Sequence, residues 1–167
     1  MSWLAKLLNC AIAVQMLPGR CSGDAGRARW CPPSLIMAGP GVTARNRSTT
    51  RLVEFLDVYP TLADLARVSP PAGLHGRSLT PLLQNPRAEW QHPALTQVRR
   101  GPADAAFMGY SVRTEQWRYT EWDEGKRGVE LYDEAGDPDE LRNLAADPKH
   151  SKTVAQMREL LRRVRGR

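Results

Sequence analysis

The stretch Phe107–Trp122, with the sequence FMGYSVRTEQWRYTEW, decides the fold of this chain. On each side of a break at residues 115–116, bulky side chains alternate with polar ones. The positions of one face include Tyr110, Val112, Trp117 and Tyr119. A period of two with aromatic and β-branched residues is typical of strands that pair through their side chains. The stretch therefore predicts an antiparallel hairpin.

Further strands are predicted on both sides of this hairpin. Pro93–Val98 precedes it, and Val129–Asp133 follows it and closes at a Gly-Asp-Pro turn. After them Ser151 can cap a last helix. The apolar stripe of that helix consists of Val154, Met157, Leu161 and Val164. Together these elements predict an α+β fold, with an antiparallel sheet of about four strands and helices packed on one face.

Upstream of the sheet, Pro33–Met37 is a short apolar run that ends at a Gly-Pro-Gly turn and predicts a strand. An amphipathic helix is predicted from Asp57 to Ala66, with Pro60 in its first turn, where proline is tolerated. The wider stretch Arg51–Ala66 has apolar residues at three- and four-residue spacing that are expected to face inward: Leu52, Phe55, Leu56, Tyr59, Leu62 and Leu65. A short helical turn follows at Leu79–Leu83.

The first 31 residues show no regular periodicity and are predicted to be a poorly ordered leader. Met1–Leu17 superficially resembles a signal peptide, but Asn9 and Gln15 interrupt its apolar part and no clear cleavage site follows. The sequence therefore predicts no particular localisation. Residues 32–88 and 89–167 are predicted to form two further segments.

Composition excludes several classes of protein. The chain has 167 residues, 41% hydrophobic and 25% charged, and no apolar run long enough for a transmembrane helix. The net charge is +6, but residues 52–148 carry −6 and residues 149–167 carry +6. Because no recognition motif accompanies the basic flanks, we expect no nucleic-acid partner. Three cysteines in the first fifth of the chain exclude a disulfide-stapled fold for the rest.

Catalytic motifs are scarce. The three histidines, His75, His92 and His150, are far apart and lack metal-ligand spacing. One acidic turn could offer oxygen ligands to a cation, but it lacks the pattern of a calcium loop and is better interpreted as an exposed turn. Its residues are Asp133, Glu134, Asp137, Asp139 and Glu140.

Several phrases resemble the C-terminal third of type I sulfatases, members of the alkaline-phosphatase-like superfamily. They are LVEFLDVYPTLADLA at 52–66, GRSL at 76–79, PLL at 81–83, ELYD at 130–133, DPDE at 137–140 and NLA at 143–145. Within that family, GYSVRT at 109–114 and RYTEW at 118–122 resemble the iduronate-2-sulfatase branch. The resemblance implies a sulfatase C-terminal subdomain at 89–167, and at 32–88 a remnant strand and helix of the α/β catalytic domain.

The resemblance also implies what this chain lacks. Such sulfatases convert a cysteine in a Cys-x-Pro-Ser-Arg motif to formylglycine, and carboxylates hold a calcium ion beside it. Here Cys31-Pro-Pro-Ser34 matches the first four letters, but Leu35 replaces the arginine and the following residues match a different strand of the family. Cys31 is therefore rejected as a nucleophile, and no catalytic or metal residue is predicted in this chain. Calcium and formylglycine are expected only in the full-length family.

By resemblance the chain is a sulfuric ester hydrolase fragment, expected to be inactive alone and to meet sulfated carbohydrate only with a catalytic domain. The alternative is a stand-alone interaction or anion-binding module. Arg113 and Arg118 are substrate-proximal candidates, since guanidinium groups bind carboxylates bidentately; the competing interpretation is that Arg113 bridges to a neighbouring carboxylate. An apolar face left without its domain could self-associate. We expect residues 90–165 to fold cooperatively and residues 1–66 to be dynamic or to associate with other chains.

Overall fold

The computed structural model describes residues 13–17 and 34–166, which divide into two compact units. The first unit contains residues 13–17, 34–50 and 54–90, and the second contains residues 51–53 and 91–166. Elements of the first unit are strands β1 (Ala13–Leu17) and β2 (Ser34–Ala38) and helices α1 (Val58–Leu65) and α2 (Thr80–Gln84). Elements of the second are strands β3 (Ala94–Arg100), β4 (Phe107–Arg113), β5 (Trp117–Trp122) and β6 (Val129–Asp133) and helix α3 (Ser151–Arg165).

The second unit is built on a four-stranded antiparallel sheet in the order β3-β4-β5-β6. The predicted hairpin is confirmed, with Val112 opposite Tyr119 and Arg113 opposite Arg118. Glycine at position 109 has a packing reason, because a Cβ there would lie 2.4 Å from Cζ3 of Trp122 on the neighbouring strand. The predicted α+β class and strand number are therefore confirmed.

Helix α3 covers one face of this sheet and completes its core. Val112 of β4, Tyr119 of β5 and Leu131 of β6 are fully buried. They pack with the helix residues Met157, Leu161 and Val164, and Val154 lies partly buried beside them. The predicted apolar stripe is confirmed in this respect. Ser151 is not the cap, however, because a 3-10 turn at Pro148–His150 precedes the helix and is capped by the carboxylate of Asp147.

In the first unit, β1 pairs antiparallel with β2, so the predicted strand near Ser34–Met37 is present and has a partner. That partner lies within the segment predicted to be a poorly ordered leader; the rest of the leader, residues 1–12 and 18–31, lies outside the described residues. The division at residues 31 and 88 remains a prediction.

Two buried polar side chains organise the other half of the first unit. One carboxylate oxygen of Asp57 accepts from the backbone N–H of Glu54 and the other from that of Arg77, both at 2.8 Å. The hydroxyl of Thr61 accepts from the N–H of Leu79 at 2.8 Å and donates to the carbonyl of Asp57. The loop passes so close that a Cβ at Gly76 would lie 2.0 Å from a backbone oxygen. Asp57 thus joins α1 to the chain that leads into α2.

The orientation predicted for the apolar residues around α1 is wrong for half of them. The helix starts where predicted, with Asp57 at the N-cap position and Pro60 in the first turn. Phe55, Leu56 and Tyr59 are nevertheless 69%, 58% and 55% exposed. The helix buries Pro60 and Thr61 instead, because Thr61 is the residue that bonds to the following loop. Among the described residues, no helix has both the length and the apolar character that a membrane span requires.

Candidate functional site

The two arginines predicted to lie near substrate stand opposite each other on β4 and β5. Arg113 follows the core residue Val112, and Arg118 precedes the core residue Tyr119. Because side chains alternate along a strand, both arginines lie on the sheet face that α3 does not cover. Their side chains are 32% and 26% exposed. The hairpin therefore brings Arg113 and Arg118 together on one surface.

A buried carboxylate lies between these arginines. Glu134, whose side chain is 8% exposed, bonds Nη2 of Arg113 at 2.8 Å and lies 3.9 Å from Nε of Arg118. Arg118 also pairs with Glu140 and lies 5.5 Å from the centre of the Tyr132 ring. Burial lowers the pKa of Arg118, and the charge of Glu134 opposes that shift. The competing interpretation, a bridge from Arg113 to a carboxylate, describes the contact that is present.

The hydrogen bonding of this arginine pair is incomplete. Within the described residues, the Nε–H groups of Arg113 and Arg118 are buried without a hydrogen-bond acceptor, and so is Oε1 of Glu134 without a donor. Such groups are costly when they stay unpaired. All three atoms are themselves buried, so they are not open to an additional ligand.

The acidic turn is less exposed than predicted. Glu134 is buried under two arginines, and Glu140 is held by Arg118, so these two carboxylates are neutralised by neighbours rather than by water. Within residues 13–17 and 34–166, no group of three or more histidine, cysteine or acidic side chains is placed to hold a metal ion. The carboxylates present thus do not fit the calcium site of the family. His150 contacts the ring of Trp117 edge-on, and Cys31 lies outside the described residues.

A second polar cluster, which the sequence analysis missed, lies beside α3. The phenol of Tyr119 donates to Glu121 at 2.8 Å, and Nε of Arg158 lies 3.2 Å from both of their oxygens. Burial raises the pKa of Tyr119 to about 12. The hydrogen bond between Arg158 and Tyr119 raises the pKa of Arg158. The signal available in the sequence was Glu121, an acidic residue on the core face of β5 that requires a cationic partner.

A groove of about 510 Å³ opens over this second cluster. Its walls are α3 on one side and the end of β5 with the following turn on the other. It is lined by Glu121, Glu124, Gly125, Arg158, Arg162 and Arg165. The three arginines recur at intervals of four and three residues, which places them along one side of the helix. The groove thus carries three cationic and two anionic side chains.

Known proteins are similar to this chain over most of its length. Residues 31–167 match the family model for the C-terminal region of N-sulphoglucosamine sulphohydrolase. The chain is similar to the delta 4,5-hexuronate-2-O-sulfatase of Bacteroides thetaiotaomicron, with 39% identity over 129 residues that cover 75% of this chain and 27% of that protein. It is also similar to arylsulfatase K of Gallus gallus, with 35% identity over 142 residues, 78% of this chain and 25% of that one.

A solved structure of a 2-O GAG sulfatase has the same fold over the shared part. It superposes with a TM-score of 0.68 at 38% identity and covers 78% of this chain and 28% of its own. The chain therefore spans about a quarter of the length of the curated relatives that it matches.

Proposed function

The chain belongs to the sulfatase family, and from this premise we propose that it forms the C-terminal part of a sulfuric ester hydrolase for 2-O-sulfated uronic acids of glycosaminoglycans. The observation that carries the proposal is the match to the hexuronate-2-O-sulfatase across three quarters of this chain. The phrases at 109–114 and 118–122, which resemble the iduronate-2-sulfatase branch, support the same substrate class.

We propose that the nucleophile and the metal ion of the reaction lie outside this chain. Sulfatases supply a formylglycine nucleophile and a calcium ion that offsets the charge of the sulfate. Among the described residues, no three histidine, cysteine or acidic side chains are grouped so that they could hold a metal ion. We therefore propose that the isolated chain does not hydrolyse sulfate esters. A stand-alone interaction or anion-binding module is the alternative.

We propose Arg113 and Arg118 as the residues of this chain that contact the carboxylate of the substrate sugar. Two features support this role: their shared face and their partial exposure. Glu134 would then position both guanidinium groups, as a buried carboxylate between two cations does.

The exposed apolar residues Phe55, Leu56 and Tyr59 support a missing catalytic part. Exposed large apolar side chains that lie close together in the chain are typical of protein–protein contact sites. We propose that the α/β catalytic portion covers these residues, since the same segment lies in the part of the chain that resembles the catalytic domain.

The test is an assay of the purified chain with calcium, a formylglycine-generating enzyme and a 2-O-sulfated unsaturated hexuronate disaccharide. No sulfate release is expected from the chain alone. Turnover is expected when the N-terminal three quarters of the Bacteroides thetaiotaomicron relative are supplied in trans. Activity of the chain alone that disappears in a Cys31→Ala variant would overturn the proposal. Restored turnover of 6-O-sulfated but not 2-O-sulfated disaccharide would overturn the substrate class.

A further inference from the structure

Among the described residues, one arginine of the groove beside α3, Arg162, has no carboxylate partner. Arg158 donates hydrogen bonds to Glu121 and Tyr119. Nη2 of Arg165 lies 3.8 Å from Oε1 of Glu124, and the guanidinium carbon of Arg165 lies 3.8 Å from the centre of the Tyr110 ring. Arg162 lies between them on the same side of the helix and lines the same groove. Within the part of the chain that the structure describes, it makes no ion pair, and it is exposed.

The opposite wall of the groove is a turn in an unfavourable backbone conformation. Asp123 and Glu124 have φ angles of 50° and 55°, and Gly125 and Gly128 follow at 87° and 109°. Left-handed conformations are costly for residues other than glycine and cluster at functional sites. Hydrogen bonds from the turn to the backbone of Trp122 and Met108 hold it in place. The strained turn brings Glu124 to the groove, where it engages Arg165.

We propose that this groove binds an oxyanion of a sulfated glycosaminoglycan chain, a sulfo or carboxylate group, with Arg162 as its principal ligand. Guanidinium groups form paired, charge-assisted hydrogen bonds with planar or tetrahedral oxyanions. Arg158 and Arg165 are held in place by their carboxylates and the Tyr110 ring, so little ordering is required of them when a ligand arrives. The volume of the groove is within the range of small-molecule sites.

Charge complementarity decides between possible occupants. The groove has a net positive charge, and α3 carries Lys152, Arg158, Arg162, Arg163 and Arg165 against Glu159 as its only acid. A polyanion therefore fits this side better than an apolar or basic protein segment. The choice of a sulfated polysaccharide over other polyanions rests on the proposed function, which supplies the substrate class.

The experiment uses calorimetric titration of the full chain with a heparin-derived hexasaccharide. Arg162→Ala is expected to weaken binding about tenfold, the effect of one charge-assisted pair. Arg163→Ala is the matched control, since it removes the same charge from the same helix but does not line the groove. It is expected to change the affinity about twofold or less.

A third variant gives a change in the opposite direction. Glu124→Gln removes a negative charge from the wall of the groove, while Arg165 still lies against the Tyr110 ring, and it is expected to tighten binding severalfold, an effect that loss of folding would not produce. Circular dichroism checks that each variant is folded. Equal weakening by Arg162→Ala and Arg163→Ala, or undetectable binding by the parent chain, would overturn the proposal.

Competing ligands complete the test. Inorganic sulfate at matched ionic strength should bind much more weakly than the hexasaccharide, and a desulfated hexasaccharide should lose most of the affinity. Tighter binding of a DNA duplex than of the hexasaccharide would overturn the assignment to carbohydrate. Because binding is measured without turnover, Arg162-dependent affinity can persist if the proposed activity fails, and the activity can persist if the groove does not bind.

Discussion

Tyr119 is the residue whose chemistry is most altered by the fold. It is fully buried between the sheet and α3, and its phenol donates to Glu121. Burial raises its pKa to about 12, compared with about 10 in an unfolded chain. Below pH 10 the phenol is protonated in both states. Between pH 10 and 12 only the unfolded phenol ionises, so the free energy of unfolding falls as the pH rises.

Between pH 9 and pH 11.5 we therefore expect the free energy of unfolding of the parent chain to fall by about 2 kcal/mol more than that of Tyr119→Phe. Urea unfolding at the two pH values measures it. The phenylalanine variant is its own control, since it retains every other group that titrates in this range. A parent and a variant that lose equal stability would show that Tyr119 ionises normally.

Asp57 is the corresponding residue of the first unit. It is 4% exposed and accepts from the backbone N–H groups of Glu54 and Arg77. Asp57→Ala should lower the free energy of unfolding by about 2–4 kcal/mol, because the variant removes this buried acceptor from both N–H groups. Asp64→Ala, an exposed carboxylate bonded to Ser78, should cost about 0.5 kcal/mol or less. Urea unfolding and amide exchange at Arg77 measure both, and similar losses would contradict the role of Asp57.

At the scale of elements, the packing of α3 on the sheet depends on a few apolar side chains. Leu161 is 1% exposed and contacts the core that contains Val112, Tyr119 and Leu131. Leu161→Ala should destabilise the second unit by about 2–5 kcal/mol, through lost burial and the cavity that remains. Gln156→Ala changes an exposed position of the same helix and should have little effect. Thermal unfolding compares them, and a loss below about 1 kcal/mol for Leu161→Ala would mean that α3 is not part of the core.

The elements also show where sequence reasoning succeeds. Alternation between core and surface residues predicted the hairpin, because β4 and β5 each have one buried face, and the two outer strands were predicted within about two residues of their bounds. The stripe of α3 was predicted for the same reason. Around α1, periodicity identified an apolar face but not whether anything covers it, so Phe55 and Tyr59 were wrongly placed inside. Strand β1 has too little periodicity for its pairing with β2 to be predicted.

The polar sites were less accessible to prediction. Alternation places Arg113 on the open face of the sheet, but the contact with Glu134 depends on how the chain turns after β6. The groove could not be predicted, because Arg162 is distant in sequence from Glu121 and Glu124 and is brought beside them by the packing of the helix. The pairing of β4 with β5 and the docking of α3 both had to be known first.

For the whole molecule, the exposed side chains of Phe55, Leu56 and Tyr59 predict self-association of the isolated chain. We expect light scattering to show an apparent mass that rises with concentration, and a Phe55→Ser/Tyr59→Ser variant to reduce that rise. Leu141→Ser is the control, since Leu141 is 71% exposed but lies alone in the second unit. If the parent chain stays monomeric at every concentration, or if the control behaves like the double variant, Phe55, Leu56 and Tyr59 do not cause self-association.

The position of α3 along the chain has a consequence for biosynthesis. The helix lies downstream of every strand it covers, so a ribosome completes all four strands before the residues that seal them emerge. Until then the nascent sheet presents Val112, Tyr119 and Leu131 to the cytosol or to a translocation channel, and chaperones bind such surfaces. A premature stop codon near position 150 would leave that face permanently bare. Messages truncated there should therefore yield proteins that are degraded rather than partly functional.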